Sequence, residues 1–344
     1  ASSYPRKHFI FESGATTLVG LDEHMPLRHL LQEIGLSIDP VELKPPMRVY
    51  LSNGEVLTRY HDLDAWIAEA ERVFGPKGQR AFWKECYRIS QFVWETSLQQ
   101  RAFPPSSLTD LWEAIKHFRP RQLSFATLAF RSMDQMLRKY GLRDNEQFVA
   151  FINEQLMITA QNTLEEVNLL FGSTALCYTN YTNYYMPGGL INLVKPLVAY
   201  IEERGGEVKL REGVQTVQPQ EGGYFIQTKK GEYRAKKLLS AIPINNTVEI
   251  FKAEQVQKKY RKKMMQSEEL NSAFSLGFVA EKFTEFDCLH HQIHLQEPLP
   301  FTGSESIFLS LSHPEDTERC GPDQYVGSVS THVPHPAATM VENK

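Results

Sequence analysis

The chain has 344 residues, 42% of them apolar and 23% charged, with a net charge of −4. That balance excludes an intrinsically disordered chain, allows a large core and points to two domains. It also gives no electrostatic footprint for nucleic acid, since the one basic run, at 258–263, reads as a solvated helix face. Four scattered cysteines (Cys86, Cys177, Cys288, Cys320) with no CxxC pair fit a reducing compartment, cytoplasmic or plastid-like. No apolar run reaches the roughly 18 residues that cross a bilayer, and the polar opening lacks the apolar stretch of a signal peptide. A transmembrane chain is not expected, while peripheral attachment to a membrane stays open.

Strand signals come first, at 9–11 and then at 47–60. In the second, Ser52-Asn53-Gly54 separates two β-favouring runs and marks a hairpin. Between them 26–34 reads as a short helix stopped by Gly35. The stretch 63–170 is helix-rich. Leu63, Trp66, Ile67, Ala70, Val73 and Phe74 recur at helical spacing until Gly75-Pro76, and Phe82, Cys86, Ile89 and Val93 line the next helix. Further helices are expected at 108–118, with Ser107 as N-cap, at 124–140 and at 146–168. From 272 onward the pattern is mostly β, with strands at 273–279, 291–295, 307–311 and 324–331. Strands framing a long helical insertion imply a mixed α/β fold, a mixed sheet carrying a helical lobe.

The segment 186–243 carries the most information. Met186-Pro187-Gly188-Gly189 makes a tight entry to an apolar helix that Gly205-Gly206 ends. Strands are expected at 207–210 and 213–217, a hairpin at 224–236, and a buried strand over Leu238-Leu239-Ser240-Ala241-Ile242-Pro243. This order resembles the FAD-dependent family of phytoene desaturases and carotenoid isomerases. Two further stretches are similar to that family: Phe9-Ile10-Phe11-Glu12-Ser13-Gly14-Ala15-Thr16, where Glu12 replaces the family's Asp, and the strands from His290 to the Pro314-Glu315-Asp316 loop.

The resemblance implies a fold with part of an FAD-binding domain of the two-dinucleotide type and a mixed-sheet substrate domain with a helical lobe. By that reading 1–46 and 186–243 belong to the FAD side, and 47–62, 63–185 and 244–344 to the substrate side. It implies that Glu12, Gly14, Ala15 and Thr16 lie at the flavin. Gly188 and Gly189 open the helix beside FAD, and Val214, Ala241 and Pro243 approach the cofactor through their backbone. It implies an apolar polyene as substrate, desaturated or isomerised, and names no catalytic acid or base. The Gly-x-Gly-x-x-Gly that places a pyrophosphate at a helix N-terminus occurs nowhere in these residues. The chain therefore reads as an internal fragment that binds FAD weakly or not at all. Two alternatives share the fold: a flavin amine or amino-acid oxidase, and a prenyl-binding protein like the Rab GDP-dissociation inhibitors.

Other residues receive plainer readings. His290, His291 and His294 are expected as exposed strand histidines, not metal ligands, because no carboxylate or Cys stands at ligand spacing. Asn180-Tyr181-Thr182 matches the N-glycosylation pattern by chance. The tyrosines of 178–185 either line a substrate channel or pack an interface, the second being favoured. The basic-aromatic helix at 108–118 is read as part of a packed lobe ahead of a membrane-surface role.

Overall fold

A computed structural model of the protein describes residues 3–99, 127–265, 271–282, 286–300 and 302–334, with positions 109, 112, 125 and 284. It divides into two units, one of Ala1–Pro196 and Asn271–Lys344, the other of Leu197–Leu270.

The first unit opens with a hairpin, β1 (Ser3–Arg6) against β2 (Phe9–Glu12), with Ser3 opposite Glu12. The polar sequence of β1 gave no strand signal. Its backbone is ordered by pairing with the apolar β2. α1 (Pro26–Ile34) follows as expected, then the short β3 (Val41–Glu42) and the anticipated hairpin of β4 (Met47–Tyr50) and β5 (Val56–Arg59).

Among the described residues the lobe is built from α2 (Leu63–Phe74), α3 (Gln79–Gln99), α4 (Met133–Lys139), α5 (Glu146–Ala160) and α6 (Leu169–Leu176). The Asp62 carboxylate caps α2 by accepting the Ala65 N–H at 2.8 Å. The expected helix at 146–168 stops at Ala160 because Gln161 turns left-handed, and Asn168 then caps a new helix through the Leu170 and Phe171 N–H groups. The expected helix at 124–140 is likewise split, into a 3-10 turn at Thr127–Phe130 and α4 with Ser132 as its cap. The helix expected at 108–118 and its Ser107 cap lie outside the described residues, apart from helical Thr109 and Trp112.

After β6 (Tyr184–Tyr185), α7 (Ile191–Glu203) begins in the first unit and ends in the second. The second unit holds an antiparallel sheet of β7 (Val214–Gln220), β8 (Gly223–Thr228) and β9 (Glu232–Ala235), then α8 (Ile244–Glu249) and α9 (Lys258–Met265). Two expected strands are corrected here. Residues 207–210 are irregular, and so is 238–243, where Leu239 is 94% exposed. A continuous apolar run makes a strand only beside partners that pair its backbone and cover both faces. Here the free edge of β7 is met by Phe251, with Val217 N donating to Ile250 O at 2.7 Å.

The remaining strands, β10 (Asn271–Glu281), β11 (His290–His294), β12 (Ser306–Leu311) and β13 (Gln324–Pro334), return to the first unit. They join the early hairpin in a six-stranded sheet of order β10-β13-β12-β11-β4-β5, antiparallel except at β11/β4. This is the mixed α/β fold expected from the sequence. The lobe packs on the sheet through Trp66, Trp83, Phe148 and Phe151 around a fully buried Arg59. The Arg59 guanidinium lies 4.0 Å over the Trp66 ring and donates to Gln155 Oε1 (2.8 Å) and Leu176 O (2.6 Å). No carboxylate among the described residues pairs with it, and burial lowers its pKa to about 10.

Candidate functional site

The Pro-Gly-Gly turn before α7 is held by two carboxylates from distant parts of the chain. Asp316 accepts the Gly188 N–H at 2.9 Å and the Tyr185 hydroxyl at 2.5 Å on one oxygen. Its other oxygen accepts the N–H groups of Glu318 and Arg319. Glu12 accepts the Leu190 N–H at 2.7 Å and the Ser3 hydroxyl, whose oxygen in turn accepts the Ile191 N–H. Gly188 and Gly189 have φ of 72° and 91°, and a Cβ on Gly189 would stand 2.7 Å from Glu12 Oε1. Only glycine fits both the conformation and the approach.

This geometry gives Glu12 a role that the sequence did not predict. A carboxylate at a helix N-terminus satisfies free N–H groups and the positive end of the helix dipole. At α7 that place is taken by Glu12 itself, buried to 3% exposure. The Gly-Gly entry is therefore a closed internal cap. Arg319 completes the cluster, its Nε donating to Ile10 O at 3.0 Å, and ties the Asp316 loop to β2.

Gly14, Ala15 and Thr16 lie elsewhere on the same turn-forming segment. They line one side of a cavity of about 400 Å³ whose other walls include Ile158, Tyr178, Ala273, Ser275, Phe308, Ser330 and His332. None of the described residues lining it is Asp, Glu, Lys or Arg. The turn is fixed from beneath: the Thr16 and Ser310 hydroxyls share a 2.9 Å hydrogen bond, Ser310 also meets His290 Nδ1 at 3.1 Å, and His290 Nε2 meets the Thr17 hydroxyl at 3.0 Å. Burial pushes the His290 imidazole down to about 3, with His291 and Arg319 adding to the shift, so the ring is neutral. A neutral ring offers one donor and one acceptor to its two hydroxyl partners.

The three strand histidines are thus not exposed, contrary to expectation: His290, His291 and His294 are 1%, 4% and 9% exposed. β11 is an interior strand flanked by β12 and β4, and the 13–17 turn covers His290. His291 bonds to Cys288 O at 2.9 Å and to the Tyr50 hydroxyl at 3.3 Å. Of the tyrosines of 178–185, Tyr178 lines the cavity, whereas Tyr181 packs on Tyr87 and Tyr185 binds Asp316.

Val214, Ala241 and Pro243 belong to the second unit. Val214 starts β7 at a bulge and is 43% exposed, and Ala241 and Pro243 lie exposed ahead of α8. They share a unit with one another but not with the Glu12 and Thr16 clusters.

The model of one protein family, described as flavin containing amine oxidoreductase, matches residues 1–324. The chain belongs to that family. No curated protein matches it. Among solved structures it is similar to an oxidoreductase from Methanosarcina mazei, with 14% identity over 99% of this chain and 72% of that one and a TM-score of 0.63. A redesigned putrescine oxidase shares 14% identity over 99% and 68% of the two chains, TM-score 0.58. A CLA-producing fatty acid isomerase from P. acnes shares 12% over 98% and 71%, TM-score 0.53.

The family's cofactor is FAD, and the residues present fit one side of it. The small side chains of Gly14-Ala15-Thr16, pinned by Ser310 and His290 along an open cavity, suit a planar ring packed against backbone. The phosphate side has no such counterpart, because these 344 residues hold no Gly-x-Gly-x-x-Gly and the Gly-Gly helix entry is filled by Glu12.

Proposed function

We propose that the protein works as an FAD-dependent oxidoreductase on a long apolar polyene, desaturating it or isomerising its double bonds. The observation that carries this reading is that no described residue lining the cavity beside the Gly14-Ala15-Thr16 turn is Asp, Glu, Lys or Arg. A protonated amine held against that lining would lose its hydration without gaining a carboxylate from it, which costs several kcal/mol by an order-of-magnitude reckoning. A neutral hydrocarbon chain loses nothing by the same transfer and gains from burial of its surface. His332, the imidazole in the lining, has its pKa lowered by burial, which disfavours a charged ring there. A second cavity of about 510 Å³ shares Thr159 and Tyr178 with the first and adds Trp94, Val167 and Phe171 together with one acidic residue, Glu166, and the two cavities together suit a substrate longer than one chamber.

FAD supplies the redox chemistry and accepts electrons in a desaturation. The chain's own share is to hold the polyene along the 13–17 turn, exclude water from it and keep that turn in one position through Ser310 and His290. The same reading assigns 186–243 to the cofactor side. It also implies a peripheral membrane location in a reducing compartment, since such substrates dissolve in lipid. Phe130 (91% exposed) and Phe171 (67%) are candidate contacts.

The protein supplied with FAD under anaerobic conditions is to be mixed with a lycopene-type polyene or with putrescine. The polyene is expected to shift its visible bands on binding and to bleach the flavin or change its own isomer composition. Bleaching by putrescine with no response to the polyene would overturn the reading in favour of an amine oxidase.

A further inference from the structure

We infer that the cavity accepts a substrate whose apolar chain carries a neutral oxygen, a hydroxyl or keto group, seated among Glu154, Ser330 and His332. The inference rests on the reading of the cavity as a site for neutral apolar chains and adds a polar end to it. A small pocket of about 10 Å³ is lined by Glu154, Ser304, Ser306, Ser330, Thr331 and His332, with Met157, Ile158 and Phe308. Four of these, Ile158, Phe308, Ser330 and His332, line the main cavity as well. Its volume is about that of one water-sized oxygen.

Hydrogen-bond accounting shows which groups are left for a guest. Thr331 Oγ1 donates to Ser306 O at 2.9 Å and Ser304 Oγ donates to the same carbonyl at 2.9 Å, so both hydroxyls are committed. Ser306 Oγ donates to Glu154 Oε2. That bond ends an oriented series: Arg59 donates to Gln155, Gln155 to Gln292, and Gln292 to Ser306. The series fixes one oxygen of Glu154. The other oxygen, the Ser330 hydroxyl and the His332 ring make no side-chain hydrogen bond among the described residues. Burial raises the Glu154 pKa and lowers that of His332. A hydroxyl guest would donate to one of these groups and accept from another, and a ketone would accept from Ser330 or His332. A carboxylate guest would lose its water with no Lys or Arg in the described lining to pair with it, and would be disfavoured.

The test is displacement of diphenylhexatriene fluorescence by 1-decanol, 1-decene and decanoate, using the whole chain. It compares the protein with Ser330→Ala and His332→Leu variants whose folding is checked by circular dichroism. Each lost hydrogen bond is expected to weaken decanol by about 3- to 10-fold while decene is unchanged. Should His332→Leu fail to fold, Ser330→Ala carries the comparison. Decanol and decene weakened alike, or neither affected, would overturn the oxygen site and leave the apolar cavity standing. Decanoate binding more tightly than decanol would overturn the neutral-oxygen assignment. Failure of every probe to displace the reporter would overturn both readings.

Discussion

Acidification should unfold this protein by way of His290, and the size of the effect follows from its burial. The ring has its pKa pushed to about 3 by loss of solvent, with His291 and Arg319 contributing. In the unfolded chain it titrates near 6.5. Between those values the unfolded state binds a proton that the folded state refuses, so stability is complete above about pH 6.5 and falls as the pH drops toward 3. The slope approaches about 1.4 kcal/mol per pH unit, which gives roughly 2 kcal/mol lost between pH 7 and pH 5. Against a typical total of about 5–15 kcal/mol that is a measurable share. The assay is guanidinium unfolding at pH 7 and pH 5 for the protein and for His290→Gln. Glutamine keeps a donor and an acceptor for Ser310 and Thr17 but does not titrate. The variant should lose about 2 kcal/mol less than the parent over that interval. His294, held at about 4, titrates in both proteins and cancels in the difference. Equal losses in the two proteins would refute the claim that His290 is buried neutral beneath the turn.

Asp316→Ala removes the acceptor of Gly188, Tyr185, Glu318 and Arg319 at once. It should cost about 3 kcal/mol or more, read as a lower guanidinium midpoint. Gly189→Ala forces a side chain into a φ of 91° and against Glu12, and should cost about 1–3 kcal/mol by the same measurement. No carboxylate among the described residues pairs with Arg59, so Arg59→Met, which fills the space and removes the buried charge, should stay within about 2 kcal/mol of the parent. Arg59→Ala, which opens a cavity beneath Trp66, should lose about 3–5 kcal/mol in thermal and chemical melts.

The elements legible in the sequence were those with a local cause. α1 has Pro at its start and Gly35 at its end, and α2 has an Asp cap and an unbroken apolar stripe. Both are set by neighbours within a turn or two. β1 carries no strand signal and the run 238–243 carries a false one, for the opposite reason. A strand exists through its partner, and neither the pairing of Ser3 with Glu12 nor the use of the β7 edge by Phe251 is written in the local sequence. The histidines follow the same rule. Alternation along β11 says which face each side chain takes, but not that the 13–17 turn and a neighbouring strand close over it.

The candidate site shows how one signal admits two chemistries. Gly-Gly ahead of an apolar helix is the local shape of an anion site, and the free N–H groups of α7 would serve a phosphate as well as a carboxylate. What decides is Glu12, 177 residues earlier than Gly189, whose carboxylate reaches the Leu190 N–H from β2. An acidic residue ahead of a Gly-Ala-Thr turn is therefore better read as the fastener between β2 and α7 than as a cofactor ligand. With Glu12 holding the helix on one side of the segment and His290 holding Thr17 on the other, Gly14, Ala15 and Thr16 are the stretch left facing the cavity. The two clusters give that stretch its position without contributing a charge to the space it lines.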